Sequence, residues 1–295
     1  MSAIGDRTRI DLKTVVYATD FTHCSENAGL FAARIASFFS ASLLVAHMFT
    51  ISQAAMEIET ESGPVSQQRK DLESLLSKKV ALLKGLCTEI EPILLQGDPR
   101  QIIPELADRH QPSMIALGTH GRGQLSREFI GSVAEQILRS SNWPVLTVGP
   151  QVPPASSKTF PFRRILFATD FSPAAASAIP VGLDFAEAMG ATVDLLHVIP
   201  RDHVNDPTDI SELQSWFRSK CGDLLPERAR EFSDPRTFVP VGSAYHRILE
   251  HIEKQSIDLL LLGIRKTSHL GFEMRTSGAF RLIVNAACPV LTILK

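Results

Sequence analysis

Two places in the chain carry residues suited to binding a ligand, one by holding a polyphosphate and the other by meeting a hydroxyl or a cation. The first is Gly118-Thr-His-Gly121-Arg-Gly123, with Gly131-Ser132 further on, in a G-x2-G-x9-G-S pattern. Glycines let a backbone approach an anion closely and turn its N–H groups inward. Gly131 and Ser132, at an expected helix start, add unsatisfied donors, a favourable dipole and a hydroxyl. The second place is Asp20, at the end of the apolar run TVVYATDF (14–21). A carboxylate there could accept hydrogen bonds from a ribose hydroxyl or help hold a divalent cation. The pattern is neither the P-loop GxxxxGK[ST] nor the dinucleotide GxGxxG after a first strand. No base, acceptor or γ-phosphate clamp accompanies it, so no catalytic residue is assigned and any hydrolysis is expected to be slow.

The elements that must position these residues are legible from periodicity. In the first half, short apolar runs at 14–19, 43–49, 90–95, 114–117 and 144–148 read as buried strands. Between them, helical spacing appears at 25–39, at 67–86 with Leu72, Leu75, Leu76, Val80 and Leu83 on one stripe, and at 130–139. Asp98-Pro99 supplies an N-cap with proline at the first helical position of a further helix, ending near Arg109. Strands alternating with helices predict a parallel sheet covered on both faces, with ligands beyond the strands' carboxyl ends.

The chain then repeats itself. TVVYATDF (14–21) recurs as RILFATDF (164–171), and LLVAHMF (43–49) as VDLLHVI (193–199), at an offset of 150. At an offset of 145, IALGTH (115–120) pairs with LLLGIR (260–265), and PVLTV (144–148) with PVLTI (289–293). Strands are expected near 164–169, 193–199, 236–241, 258–262 and 289–293, with Ser243 capping a helix and Pro180 kinking or interrupting one. The shorter stretch 206–228 leaves room for only a smaller second helix. QVPPASSKTFP (151–161) reads as a connector, which predicts domains at 1–150 and 160–295.

ATDF, a histidine closing strand two, G-x2-G-x9-G-S and a terminal PVLTV together make the chain resemble the universal stress protein family over nearly all of both halves. The resemblance implies α/β architecture with two tandem Rossmann-like open parallel five-stranded sheets, helices on both faces. In the ATP-binding branch of that family, the ribose meets the position of Asp20. Adenine lies against the backbone at Met48 and Leu117, and the phosphates rest on Gly118, Gly121, Gly131, Ser132 and Val133. ATP, with Mg2+ accompanying it, is the implied cofactor. A proline common in that branch is Ala18 here, small enough to leave room for the base.

The second half departs from this pattern. Lys266 matches Gly121, Ser268 matches Gly123, Thr276 matches Gly131 and Gly278 matches Val133, while Asp170, His197, Val198, Gly263 and Ser277 remain. The pair Arg265-Lys266 could still attract an anion, but bulky side chains stand where backbone should meet phosphate.

Competing structural readings stand beside these. Asp20 could cap the helix beginning near Thr22 or His23, and Asp170 reads as a cap. His47 and His197 read as packing or hydrogen-bonding residues. His120 is either a solvent-facing loop residue or one that closes over phosphate. A net charge of -2 argues against a general nucleic-acid binder. No apolar run is long enough for a bilayer and no CxxC occurs, so a soluble cytoplasmic protein with reduced thiols and no structural metal is expected.

Function is therefore expected to be ATP binding in stress response or signalling, through an unidentified protein partner. A nucleotide-independent scaffold or dimerisation protein and a weak ATPase are the alternatives. Duplication also suggests an intramolecular pseudo-dimer, with a homodimer of chains as a further option.

Overall fold

The computed structural model describes residues 11–51, 64–111, 113–121, 130–203, 210–225, 227–266 and 278–295. One compact unit is Leu12–Pro150, and a second contains Gln151–Lys295.

The first unit runs β1 (Thr14–Ala18), α1 (His23–Phe38), β2 (Ser42–Phe49), α2 (Pro64–Leu83), β3 (Ile90–Gln96), α3 (Pro99–Arg109), β4 (Ser113–Gly118), α4 (Ser132–Ser140) and β5 (Val145–Val148). Its strands are parallel and ordered β3-β2-β1-β4-β5. The order therefore reverses at β1, whose Ala18 lies level with Ala46 of β2 on one side and Leu117 of β4 on the other. Every residue of β1 is buried. Such strands need helices on both faces, because parallel crossovers leave no face to water. Ile35 of α1, Leu43 of β2 and Ile137 of α4 are wholly enclosed, each burial contributing roughly 1.5–3 kcal/mol.

Local chemistry sets the helix ends. Asp98 accepts from the Arg100 amide at 2.9 Å with Pro99 behind it, as the sequence predicts for α3. On α2, Leu72, Leu76, Val80 and Leu83 are buried, but Leu75 falls outside the stripe and is exposed. The 3.6-residue period explains that correction: measured from 72, positions 83, 76 and 80 lie about 20°, 40° and 80° to one side, whereas 75 lies about 60° to the other, beyond the edge of the apolar face.

The second unit repeats the plan with β6 (Arg164–Ala168), α5 (Pro173–Met189), β7 (Thr192–Leu196), a 3-10 turn (Arg201–His203), α6 (Ile210–Leu224), α7 (Glu227–Phe232), β8 (Arg236–Phe238), α8 (Ala244–Gln255), β9 (Leu259–Ile264), α9 (Gly278–Asn285) and β10 (Val290–Leu294). Its parallel order is β10-β9-β6-β7-β8. The expected long third strand is only three residues, continued by one bridge between Ile199 and Val241. The helix on the α2 side is 15 residues against 20, and α7 is an addition the sequence did not suggest. Pro180 does not interrupt α5, which runs unbroken from Pro173 to an αL cap at Gly190. Ser243 occupies the N-cap of α8 but its side chain makes no capping bond.

Candidate functional site

Beyond the carboxyl end of β1 the chain makes a strained turn. Phe21 sits in the left-handed region at φ 62°, costly for a residue with a Cβ. Its amide donates to Thr19 Oγ1 at 3.1 Å, and its ring packs on His47 with centroids 4.5 Å apart. Nδ1 of His47 is in turn bonded to the Thr19 carbonyl at 2.6 Å. His47 is thus a structural pin.

This turn fixes Asp20. Its Oδ1 accepts from both the Thr22 amide at 3.0 Å and the Thr22 hydroxyl at 2.6 Å. The N-cap of α1 is Thr22, not Asp20; its Oγ1 accepts from the Ser25 amide. The same hydroxyl lies 3.2 Å from the His120 carbonyl, tying the start of α1 to the glycine loop. With Oδ1 held, Oδ2 is the oxygen that faces the loop: a Cβ placed on Gly121 would lie 3.0 Å from it. Asp20 and Gly121, 101 positions apart, are brought together as one wall.

Gly118 has another explanation. A Cβ there would stand 2.6 Å from the Ser25 amide nitrogen and 2.8 Å from the Cys24 carbonyl carbon, so the absent side chain is required by the first turn of α1. Thr119 is fully buried, its amide bonded to Val148 O at 3.1 Å and its hydroxyl to His120 Nδ1 at 2.8 Å. Residues 122–129, including Gly123, lie outside the described residues.

Where the chain returns, Gly131 is the N-cap of α4 and its amide donates to Thr119 O at 2.8 Å. That amide is committed to closing the loop, which corrects the expectation of an unsatisfied donor at Gly131. The donors at this helix start are the amides following it. Ser132 is exposed and Val133 half-buried, and first-turn amides have no carbonyl within their own helix. Met48 stands half-buried near the end of β2, two positions past the Ala18–Ala46 level, and Leu117 is buried in β4 level with Ala18.

The second unit keeps the turn and changes the wall. Phe171 repeats φ 62° and packs on His197 at 4.6 Å, and His197 Nδ1 bonds to Thr169 O at 2.9 Å. Asp170 is exposed and accepts from the Ser172 amide at 2.9 Å; the N-cap of α5 is Ser172, not Asp170. Gly263 is kept because a Cβ would run into the Ala174 carbonyl, the same helix-packing demand as at Gly118. Lys266, however, donates its amide to Lys295 O at 2.8 Å, so its backbone continues along the neighbouring strand. Ser268, Thr276 and Ser277 lie outside the described residues.

Phe217 of α6 covers the turn as well, 4.3 Å from His197 and 5.7 Å from Phe171 between ring centroids. Burial pushes the His197 imidazole below its ordinary value, against the Thr169 carbonyl and Asp170, which favour its charged form.

Three features were missed from sequence alone. The strained phenylalanines were hidden because ATDF gives no sign of a left-handed turn. Thr22 was passed over beside the more conspicuous Asp20. Asp194, fully buried in β7, is bonded by Arg236 Nε and Nη2 at 2.9 and 2.8 Å and by His251 Nε2 at 2.9 Å. A signal for it existed, since the repeat aligns Asp194 with Leu44. Among the described residues, no three His, Cys, Asp or Glu gather as a metal site, and no helix is long and apolar enough to cross a membrane. The four cysteines are buried thiols.

A sequence model of the universal stress protein family matches residues 11–149 and again 161–293. A universal stress protein of Methanocaldococcus jannaschii is 29% identical over 138 residues, covering 46% of this chain and 81% of that one. One of Mycobacterium tuberculosis is 28% identical over 203 residues, 62% of each chain, so somewhat under two thirds of that relative is spanned. Among solved structures, a universal stress protein from Archaeoglobus fulgidus superposes with a TM-score of 0.69 at 18% identity, over 97% of this chain and 99% of that chain. That likeness is one of fold. With the family matched twice along nearly the whole length, the chain belongs to the universal stress protein family as a tandem of two copies.

Proposed function

We propose that the first unit binds ATP at the carboxyl end of β1 and that the second unit does not. The observation that carries this reading is the wall formed by Asp20 and Gly121. The carboxylate is oriented by two hydrogen bonds through one oxygen, and its other oxygen faces Gly121, where an added Cβ would lie 3.0 Å from it. The wall stands where the strand order reverses, the place at which open parallel sheets take nucleotides. Asp20 Oδ2 would accept from a ribose hydroxyl, and the half-buried Met48 and buried Leu117 would flank the base. The backbone at Gly118 and Gly121 and the Ser132 and Val133 amides of α4 would take the phosphates, with Gly131 holding the loop closed. Bound ATP would bring Mg2+ to neutralise its phosphate charge; the chain itself offers binding and orientation.

Binding of this kind stabilises the ground state and so leaves hydrolysis slow or absent. We assign the protein to cytoplasmic stress response or signalling through a protein partner that reads nucleotide occupancy. Two copies of one unit in a single chain also meet the requirement for an intramolecular pseudo-dimer. The test is titration of Mg-ATP into protein stripped of co-purified nucleotide, with turnover measured on the same sample. Saturable binding with turnover well below one per second supports the reading. No binding at millimolar Mg-ATP overturns it in favour of a nucleotide-independent scaffold, and turnover near one per second, lost on changing Asp20, makes the protein an ATPase.

A further inference from the structure

The second unit holds a cleft away from the glycine-loop position. It lies between α8, the edge strand β8 with the two residues that follow it, and Arg218 of α6, and has a volume of about 320 Å3. That is the scale of a small-molecule site. Its floor is apolar, from Leu196, Phe238, Val239 and Pro240, while three cations, Arg218, Arg247 and Lys254, approach it.

The lining holds a single carboxylate, Glu250, and Arg247 and Lys254 share it. Glu250 accepts from Lys254 Nζ at 2.6 Å and from Arg247 Nη1 at 2.8 Å. The Lys254 bond first, and the Arg247 bond second, hold its carboxyl down at about 2, so it stays an anion that neutralises one of them. Arg247 also uses Nε on the Val241 carbonyl at 3.0 Å, which clamps the guanidinium in place. Nη2 of Arg247 and two of the three Lys254 N–H bonds are left over from these contacts. Residues 247, 250, 251 and 254 share one face of α8 by their spacing.

Behind this face is the buried network. His251 lines the cleft, and its Nε2 is fixed on Asp194, which Arg236 grips with two donors. Burying a carboxylate in the middle of a sheet is a net cost that an apolar residue avoids, and the first unit has Leu44 at the same place. What the carboxylate does is set the orientation of the His251 ring, leaving Nδ1 as that ring's second polar atom.

We propose that this cleft binds a small phosphomonoester, its dianionic phosphate held by Arg218, Arg247 and Lys254 and its carbon body resting on Phe238 and Pro240. A carboxylate would leave surplus positive charge, whereas a phosphate dianion matches three cations countered by one Glu. This site is independent of the nucleotide reading of the first unit.

The test uses the full chain carrying Gly121→Val, which removes competition from the glycine loop. Inorganic phosphate is titrated against it by amide chemical shifts, with acetate at equal ionic strength as the control. Expected are saturable shifts with phosphate alone, centred on 247–254 and 237–240. In Arg218→Gln/Lys254→Gln the affinity falls at least about tenfold, because two charge-assisted contacts are lost. Both positions are exposed, and either single variant replaces the double one if it fails to fold. Shifts that never saturate, that acetate reproduces, or that persist unchanged in the variants overturn the proposal.

Discussion

Gly121 and Lys266 occupy the same place in the two units, three residues after a glycine that both units keep. In the first, the chain comes so near the strained turn that a Cβ on Gly121 would lie 3.0 Å from Asp20 Oδ2. In the second, the amide of Lys266 pairs with Lys295 O and the backbone runs on as a ladder, while Asp170 is left exposed to water. Gly118 and Gly263, by contrast, answer the same demand, the close approach of α1 or α5 to the end of the central strand. Retained glycines in a duplicated loop therefore fall into two classes. One class serves helix packing and is kept in both units; the other borders the Asp20 carboxylate in the first unit and is replaced by Lys266 in the second. A glycine pattern counted as a whole would merge them.

The largest effect should come from the shared class. Gly118→Ala and Gly263→Ala each place a Cβ into helix backbone, which cannot yield as a side chain can, and each should cost about 3 kcal/mol or more in urea unfolding. If one is tolerated and its counterpart is not, the two glycines are not equivalent and the classification breaks.

Next is the Leu44–Asp194 contrast. Asp194→Leu should destabilise by about 2–3 kcal/mol at neutral pH, because His251 stays buried without its partner while Arg236, 43% exposed, reaches water. Burial alone would raise the Asp194 carboxyl, but the His251 and Arg236 hydrogen bonds outweigh it and hold it below its ordinary value. A carboxyl depressed on folding contributes stability above its unfolded value, near 4. That contribution disappears as pH falls through the lower native value, so wild type and Asp194→Leu should converge in strong acid. Parallel stability curves across that range would show that the network carries no such linkage.

Smaller still is Phe217→Ala. It uncovers the His197–Phe171 pair and should cost about 1–2 kcal/mol for a half-buried ring. Because the second unit lacks the Asp20–Gly121 wall, no ATP site should open. A gain in bound ATP would mean that Phe217, rather than the altered loop, keeps the second unit empty.

Much of this was legible in the sequence. The ten strands, the duplication and the apposition of Asp20 with the glycine loop follow from apolar runs, the two offsets and the switch-point rule. What escaped has common physical causes. The caps fall two residues after the aspartates because Asp20 and Asp170 accept from the amides of Thr22 and Ser172, whose own hydroxyls accept from the amides of Ser25 and Ala175. Gly131 turned its amide inward to Thr119, a long-range bond with no local signature. The Asp194–Arg236–His251 network depends on strand register, which brings 194 level with 236, and no spacing along the chain reveals that pairing.

The most direct test is the stoichiometry of Mg-ATP per chain, measured by calorimetry on wild type, Gly121→Val and Thr276→Val. One site per chain is expected, lost or weakened at least about tenfold by Gly121→Val while the circular dichroism of the sheet is kept, and unchanged by Thr276→Val. Two sites per chain, or one site that survives Gly121→Val, would contradict the claim that the Asp20–Gly121 wall is what separates the two units.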